Sequence, residues 1–477
     1  MLYFTQKTRP RVPRPPGGTR LQRLNTGMMA RYDIEDRRPA RVSAVQFGMG
    51  EALLGAVDRL IDAANAALAP QRRVGIACVQ AGERGFARLL GEQDGLFTVL
   101  ARGYRGEEAV RREIVVQPIL RAIDPEEAPE SLDALAADPE VCLAILETDS
   151  PGARDLAQRF LSVRRAAGLP EPEWLCVGGG NVPEWLDGAN AFPALADSLV
   201  FRSGAEEAAK LCADMNYADG MIHLAEPFAR LTIRAGEDFR SCWPLDAAGG
   251  VMFADAAAFE LSRTLRRRVF DAGLLLMGPA GWLNGCSTLR DCMGHERLRK
   301  FVGEAFMREI LPALADEGID RKTLETCAIE SFERYDNPLN RSPILKSVSC
   351  ALGRFSEALL PMLRRWAEQR FEPPRGVSFA LAAAIMLYAG ARRNPETGLY
   401  EVARGSAAEP LREDAAVLEA FSTLSHDMPA ETLAYAALAD RALWGGADLR
   451  DIDGLEERLT LDIAAMQRDP AYLPEWD

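Results

Sequence analysis

The sequence predicts an α/β domain followed by a mainly α-helical one. Three observations carry that reading. Short apolar strands alternate with helical stretches from Ser43 onward, a glycine-bearing turn stands between the first strand and its helix, and after about residue 255 strand signals give way to successive helical runs.

The first strand is Ser43-Ala44-Val45-Gln46-Phe47. It leads into Gly48-Met49-Gly50 and a helical run over 51–68 that puts Leu53, Leu54, Val57, Leu60 and Ile61 on one side. Further strands are expected over 74–79, 96–102, 114–119, 141–146 and 175–177, and helices over 298–314, 344–371, 377–391, 412–424, 430–443 and 455–466. Residues 1–40 contain Arg-Pro-Arg-Val-Pro-Arg-Pro-Pro-Gly-Gly and lack hydrophobic periodicity. They are expected to form a disordered tail, with translation from Met28 or Met29 as the alternative. The expected organisation is therefore a tail over 1–40, an α/β domain over 41–255 and a helical domain over 256–477.

A chain of 477 residues has room for two or three domains. It is 48% hydrophobic and 26% charged, and no apolar run nears the roughly 18 residues of a membrane-spanning helix, so no membrane partner is expected. A net charge of −14 argues against nucleic acid as a partner, because phosphate neutralisation needs a basic surface. It does not oppose an anionic small molecule. The nine cysteines are scattered, odd in number and never in a Cys-x-x-Cys pair, which suits a reducing cytoplasmic compartment and gives no metal site. Histidine occurs only at 223, 295 and 426, and lysine only at 7, 210, 300, 322 and 346, so proton-transfer chemistry has few candidates.

A Gly-x-Gly turn between strand and helix offers backbone N–H groups and a helix N-terminus to a pyrophosphate. The same turn also serves as a tight bend in any α/β protein, and Leu53 stands where a third glycine is usual. Glu51 adds negative charge at the first helical turn, and Val79-Gln80-Ala81-Gly82 offers no acidic ribose ligand after the second strand. NAD and NADP are not distinguished by these residues.

Several separated blocks then occur in a fixed order. After Val45-Gln46-Phe47-Gly48-Met49-Gly50 come Val57-Asp58, Gln93-Asp94-Gly95-Leu96-Phe97-Thr98, Ala189-Asn190-Ala191-Phe192, Ala225-Glu226-Pro227-Phe228, Arg334-Tyr335-Asp336-Asn337-Pro338 and Phe379-Ala380-Leu381-Ala382-Ala383. These blocks resemble those of the long-chain polyol and uronate dehydrogenases, the mannitol dehydrogenase-like family, with tagaturonate reductase (altronate oxidoreductase) the most similar branch. The resemblance runs from about residue 43 to the C-terminus. It implies a Rossmann-like dinucleotide-binding domain, a helical substrate domain and an active site in the cleft between them. It further implies NAD as cofactor, held by Phe47, Gly48, Met49, Gly50 and Asp94, and a sugar acid or ketose as substrate.

The family's catalytic pattern is Lys, four residues, Asn, two residues, His. In this chain that spacing falls on Arg266, Asp271 and Leu274. Arginine keeps its proton up to a pKa above about 12, so Arg266 orients an anion rather than relaying a proton. An ionised Asp271 only accepts hydrogen bonds and would repel a developing alkoxide, and Leu274 removes the remaining polar partner. Residues 146–152 lack the Thr-Glu that follows the family's fifth strand. Asn181, ending Gly178-Gly179-Gly180, matches the family's first-domain active-site asparagine, and equally suits the cap of a glycine turn. The expected function is hydride transfer between NADH and a keto sugar acid or ketose. The alternative is a catalytically inactive homologue that keeps the scaffold as a binding or regulatory protein.

Overall fold

The computed structural model describes residues 21–476, apart from 83, 106–107, 338–342 and 405–406. The chain divides into two compact units, Met1–Arg263 and Thr264–Asp477.

The first unit is α/β. Its strands are β1 (Ala44–Phe47), β2 (Ile76–Val79), β3 (Phe97–Arg105), β4 (Glu108–Val116), β5 (Ile119–Ile123), β6 (Leu143–Glu147), β7 (Glu173–Val177), β8 (Ala191–Asp197), β9 (Val200–Arg202), β10 (His223–Ala225), β11 (Arg230–Arg234) and β12 (Val251–Ala254). Eight of them form one sheet in the order β12-β11-β8-β7-β6-β1-β2-β5. From β5 to β8 every pairing is parallel, and β11 joins β8 antiparallel. The chain moves outward from β1 to β2 and β5, then returns to the other side of β1 with β6, β7 and β8, which is the Rossmann order.

The central strands are apolar throughout because both faces are covered. Val45, Phe47, Val79, Leu146, Trp174 and Cys176 pack in one buried cluster with Phe160 of the helix Pro151–Ala166. Ala44, Ile76, Cys78, Ile145 and Leu175 face the other way, into a cluster with Leu53, Val57 and Ile61 of the helix that follows the glycine turn. That helix opens as a wider π-helical turn, Leu53–Val57, before Asp58–Ala67. Leu53 is fully buried there, and Gly55 is the residue whose missing side chain admits Val200 of β9.

A second sheet, β4-β3-β10-β9, leaves one face to be covered, and residues 21–40 cover it. Leu24, Met28, Met29, Tyr32 and Ile34 are buried against Leu100, Val115, Phe201 and Leu224. The tail expected over 1–40 is therefore corrected for its latter half: apolar residues at 24, 28, 29, 32 and 34 gain a sheet face that local periodicity could not reveal. Residues 1–20 lie outside the described residues. The strand expected over 114–119 is likewise two elements, because β4 ends at Val116 and β5 begins at Ile119 in a different sheet.

The second unit is mainly helical. The expected run over 344–371 is broken into Ile344–Ser347, Ala351–Ala358 and Leu360–Arg370, with Cys350 at φ 54° between the first two. The helices Ala272–Leu283 and Arg321–Tyr335 were not anticipated, nor was a small antiparallel sheet of β13 (Ala391–Arg393), β14 (Tyr400–Arg404) and β15 (Ala407–Pro410). The helix Arg375–Ala389 forms the centre, with every residue from Gly376 to Ala389 buried. No helix among the described residues is long and apolar enough to cross a membrane.

Candidate functional site

In a sheet of this order, ligands bind outside the carboxyl ends of the strands where the chain reverses direction across the sheet. Here that place lies between β1 and β6. The turn Gly48-Met49-Gly50 leaves the end of β1, and Glu147 is the last residue of β6, paired one position beyond Phe47. Phe47 itself faces the sheet interior, stacked on Trp174 at 6.1 Å and edge-on to Phe160 at 5.4 Å, so it anchors the turn from beneath. Gly48 has φ 111°, a backbone conformation that side chains disfavour.

What meets the turn is a carboxylate. A Cβ at Gly48 or at Gly50 would fall on the Glu147 side chain, and the Gly50 N–H donates to the Glu147 carboxylate. Burial pushes the Glu147 pKa up to about 7, opposed by the Gly50 hydrogen bond and reinforced by nearby Asp149. The turn thus does hold a carboxyl oxygen, but the oxygen belongs to the protein. Glu147 had no part in the reading from sequence. The available signal was an acidic residue at the carboxyl end of an apolar strand neighbouring the glycine turn.

A buried polar cluster supports the turn. Gln46 Nε2 lies 3.3 Å from Asp58 Oδ2, 3.3 Å from Cys78 Sγ and 3.4 Å from the Gly48 carbonyl oxygen. Asp58 is fully buried, and desolvation pushes its pKa to about 8 against the opposing hydrogen bond from Gln46. Its Oδ1 and the Gln46 Oε1 have no hydrogen-bond partner. Glu51, anticipated as a negative charge beside a phosphate, accepts the Arg202 N–H at 2.7 Å and so braces the turn to β9.

Along the same carboxyl edge, Gly178-Gly179-Gly180-Asn181 follows β7. Asn181 is exposed, and its Oδ1 accepts from Arg263 Nη1 at 3.0 Å. Gly179 N–H lies 3.4 Å from Asp149 Oδ1, which ties this loop to the one after β6.

Asp94 lies elsewhere. The turn Asp94-Gly95 abuts the carbonyl of Ile119, the first residue of β5, and so sits at the amino edge of the parallel sheet, opposite the glycine turn. Asp94 Oδ2 accepts the Thr26 N–H at 3.0 Å and its hydroxyl at 2.7 Å, and these bonds hold the Asp94 pKa below its ordinary value. The neighbouring Gln93 donates to Asp219 Oδ1 at 2.9 Å and accepts the Gly220 N–H at 2.6 Å, while the Thr98 N–H donates to Asp219 Oδ2 at 2.7 Å. The Gln-Asp-Gly-Leu-Phe-Thr block is thus a fastening between elements, and the expectation of Asp94 as a cofactor contact is withdrawn.

In the second unit, Arg266–Asp271 forms a π-helical turn, a departure from regular helix often found at functional positions. Asp271 is ion-paired with Arg266 and, at 2.7 Å, with Arg354. Arg266 also lies over the Phe270 ring, 4.3 Å from its centroid, and Arg334 stands over the same ring at 3.8 Å. The Tyr335 hydroxyl donates to the Phe270 carbonyl within this turn. Leu274 is buried. The structure therefore brings Arg266 and Asp271 together as an ion pair and leaves Leu274 to the core.

The histidines serve the backbone. His223 Nδ1 is 2.8 Å from the Met221 carbonyl, His295 accepts the Leu298 N–H at the start of its helix, and His426 Nε2 is 2.7 Å from the Met386 carbonyl.

No protein-family model matches the chain. Curated relatives do. The altronate oxidoreductase of Bacillus subtilis is 25% identical over 92% of this chain and 95% of its own length, and that of Escherichia coli is 25% identical over 90% and 94%. Among solved structures, Pseudomonas fluorescens mannitol 2-dehydrogenase, in ternary complex with NAD and D-mannitol, superposes with a TM-score of 0.74 at 17% identity, covering 94% of this chain and 98% of that one. A substrate-free D-sorbitol dehydrogenase gives a TM-score of 0.66 at 16% identity over 94% and 99%. The resemblance to the polyol and uronate dehydrogenases therefore spans nearly the whole chain, in sequence and in fold.

Proposed function

We propose that this chain, similar along its length to altronate oxidoreductases, is an NAD-dependent oxidoreductase that moves hydride between the nicotinamide and a keto sugar acid or ketose. One observation of the structure carries the reading: a glycine turn that already binds a carboxylate oxygen stands at the reversal point of a Rossmann-ordered sheet. The backbone of Phe47, Gly48, Met49 and Gly50 would hold the diphosphate, with Asn181 on the same edge of the sheet. The coenzyme, when bound, supplies or accepts the hydride.

The chain's own residues have three tasks in this reading. Glu147 leaves the turn, which its protonated form does more readily because no charge then opposes the arriving phosphates. Arg266, whose guanidinium stays protonated near neutrality, orients an anionic substrate group. Proton exchange in the segment 264–282 falls on Asp271, its only ionisable group other than arginine, and this requires Asp271 to release Arg266 and Arg354. Nine free cysteines suit a cytoplasmic setting.

NADH oxidation with tagaturonate, fructuronate and fructose tests the proposal, comparing the natural protein with the combined variant Arg266→Lys, Asp271→Asn, Leu274→His. Turnover by the natural protein is expected. Turnover only in the variant would overturn the proposed activity of the natural chain and favour the inactive homologue that keeps the scaffold, and silence from both would overturn the proposed substrate or cofactor.

A further inference from the structure

Away from the glycine turn, the first unit encloses a cavity of about 570 Å³, within the size range of small-molecule sites. It lies along Arg59, Leu60, Asp62, Ala63 and Ala66 of the helix Asp58–Ala67, between the start of β11 and residues 112–114 of β4. Four arginines line it, Arg37, Arg59, Arg112 and Arg230, against a single acid, Asp62. Such an excess of positive charge in a chain of net charge −14 is costly to assemble and concentrates the local potential.

The four guanidiniums are not equally committed. Arg37 donates to Asp62 at 2.9 Å, yet its buried Nε has no hydrogen-bond partner. Arg59 donates to the carbonyls of Glu226 at 3.2 Å and Pro227 at 3.3 Å. Arg230 lies over the Phe228 ring, 5.0 Å from its centroid. Among the described residues, neither Arg112 nor Arg230 forms an ion pair. Burial lowers the Arg59 pKa to about 10, with the charge of Glu226 opposing and that of Arg112 reinforcing, so these cations repel one another across the cavity. A bound anion would relieve that repulsion.

The rest of the lining is apolar, including Leu60, Ile114, Phe228 and Met252. We propose that this cavity is a binding site for a small metabolite carrying two acidic groups, carboxylate or phosphate, on an apolar or aromatic frame. Arg112 and Arg230 take the acidic groups through charge-assisted hydrogen bonds, the buried Arg37 Nε adds a donor, and Phe228 packs against the frame. The site is separate from the glycine turn and adds to the proposed redox reaction a ligand that the reaction does not require.

Calorimetric titration of the full chain with benzene-1,3-dicarboxylate, phenyl phosphate, inorganic phosphate and benzoate tests this. One-to-one binding of the dicarboxylate is expected, with phenyl phosphate, inorganic phosphate and benzoate weaker because each offers a single acidic group; tightest binding by phenyl phosphate or inorganic phosphate would overturn the two-group reading in favour of a lone phosphate. Arg230→Gln and Arg112→Gln should each weaken binding at least about ten-fold, the scale of a lost charged hydrogen bond. Ala63→Phe, which fills the cavity without removing charge, should abolish it. Absence of binding by every probe, or undiminished binding in the arginine variants and in Ala63→Phe, would overturn the proposal. The titration needs neither coenzyme nor sugar, so its failure leaves the redox reading intact.

Discussion

The carboxylate of Glu147 accepts the backbone N–H of Gly50 at the point where the sheet reverses direction. This contact places the protein's own anion on the turn that would receive a diphosphate. The pKa of about 7 makes the contact pH-dependent near neutrality. Above it Glu147 is charged and opposes an incoming phosphate; below it the group is neutral.

NADH affinity is therefore expected to fall as pH rises through about 7. In Glu147→Gln it should be tighter at alkaline pH and nearly flat across the range, as read by fluorescence titration. The accompanying stability term has the same direction. The folded-state pKa lies above the ordinary 4.5, so the folded form retains the proton, and the contribution is full below 4.5 and lost as pH rises towards 7. An unchanged pH profile in the variant would sink this account of Glu147.

Asp58 gives a second pH effect, on stability alone. Its pKa of about 8 against an ordinary 3.8 means that the protonated form is favoured by folding. Stability from this group is full below 3.8 and declines as pH rises to 8, by at most on the order of 5 kcal/mol. Asp58→Asn removes the ionisation and lets an amide donate to the unpartnered Gln46 Oε1. The variant should melt higher than the natural protein at pH 9 and by a much smaller margin at pH 4. Equal margins at both would show that Asp58 does not titrate in this way.

Asp94 distinguishes a fastening from a cofactor contact. Its Thr26 bonds hold residues 21–40 to the turn before β3. Asp94→Ala should leave the NADH dissociation constant unchanged while exposing the chain near Thr26 to limited proteolysis. Loss of NADH binding with unaltered proteolysis would restore the cofactor role.

The sequence by itself determined the class of fold and much of its order. Alternating apolar strands and helices are set by local periodicity, so β1, the glycine turn and its helix, and most of the C-terminal helices were legible from residues close together in the chain. Ordered blocks such as Gln93-Asp94-Gly95-Leu96 marked the family resemblance, but not the work each block does. Tertiary structure decided that, because it depends on partners far away in the chain. Asp94 meets Thr26, and Glu147 reaches Gly50 only because β6 returns beside β1. Asp271 acquires Arg354 from another helix, and residues 24–34 become ordered by covering a sheet whose strands lie as far off as residue 225. Periodicity is a property of neighbours along the chain, whereas the charge and burial of a functional group are set by neighbours in space.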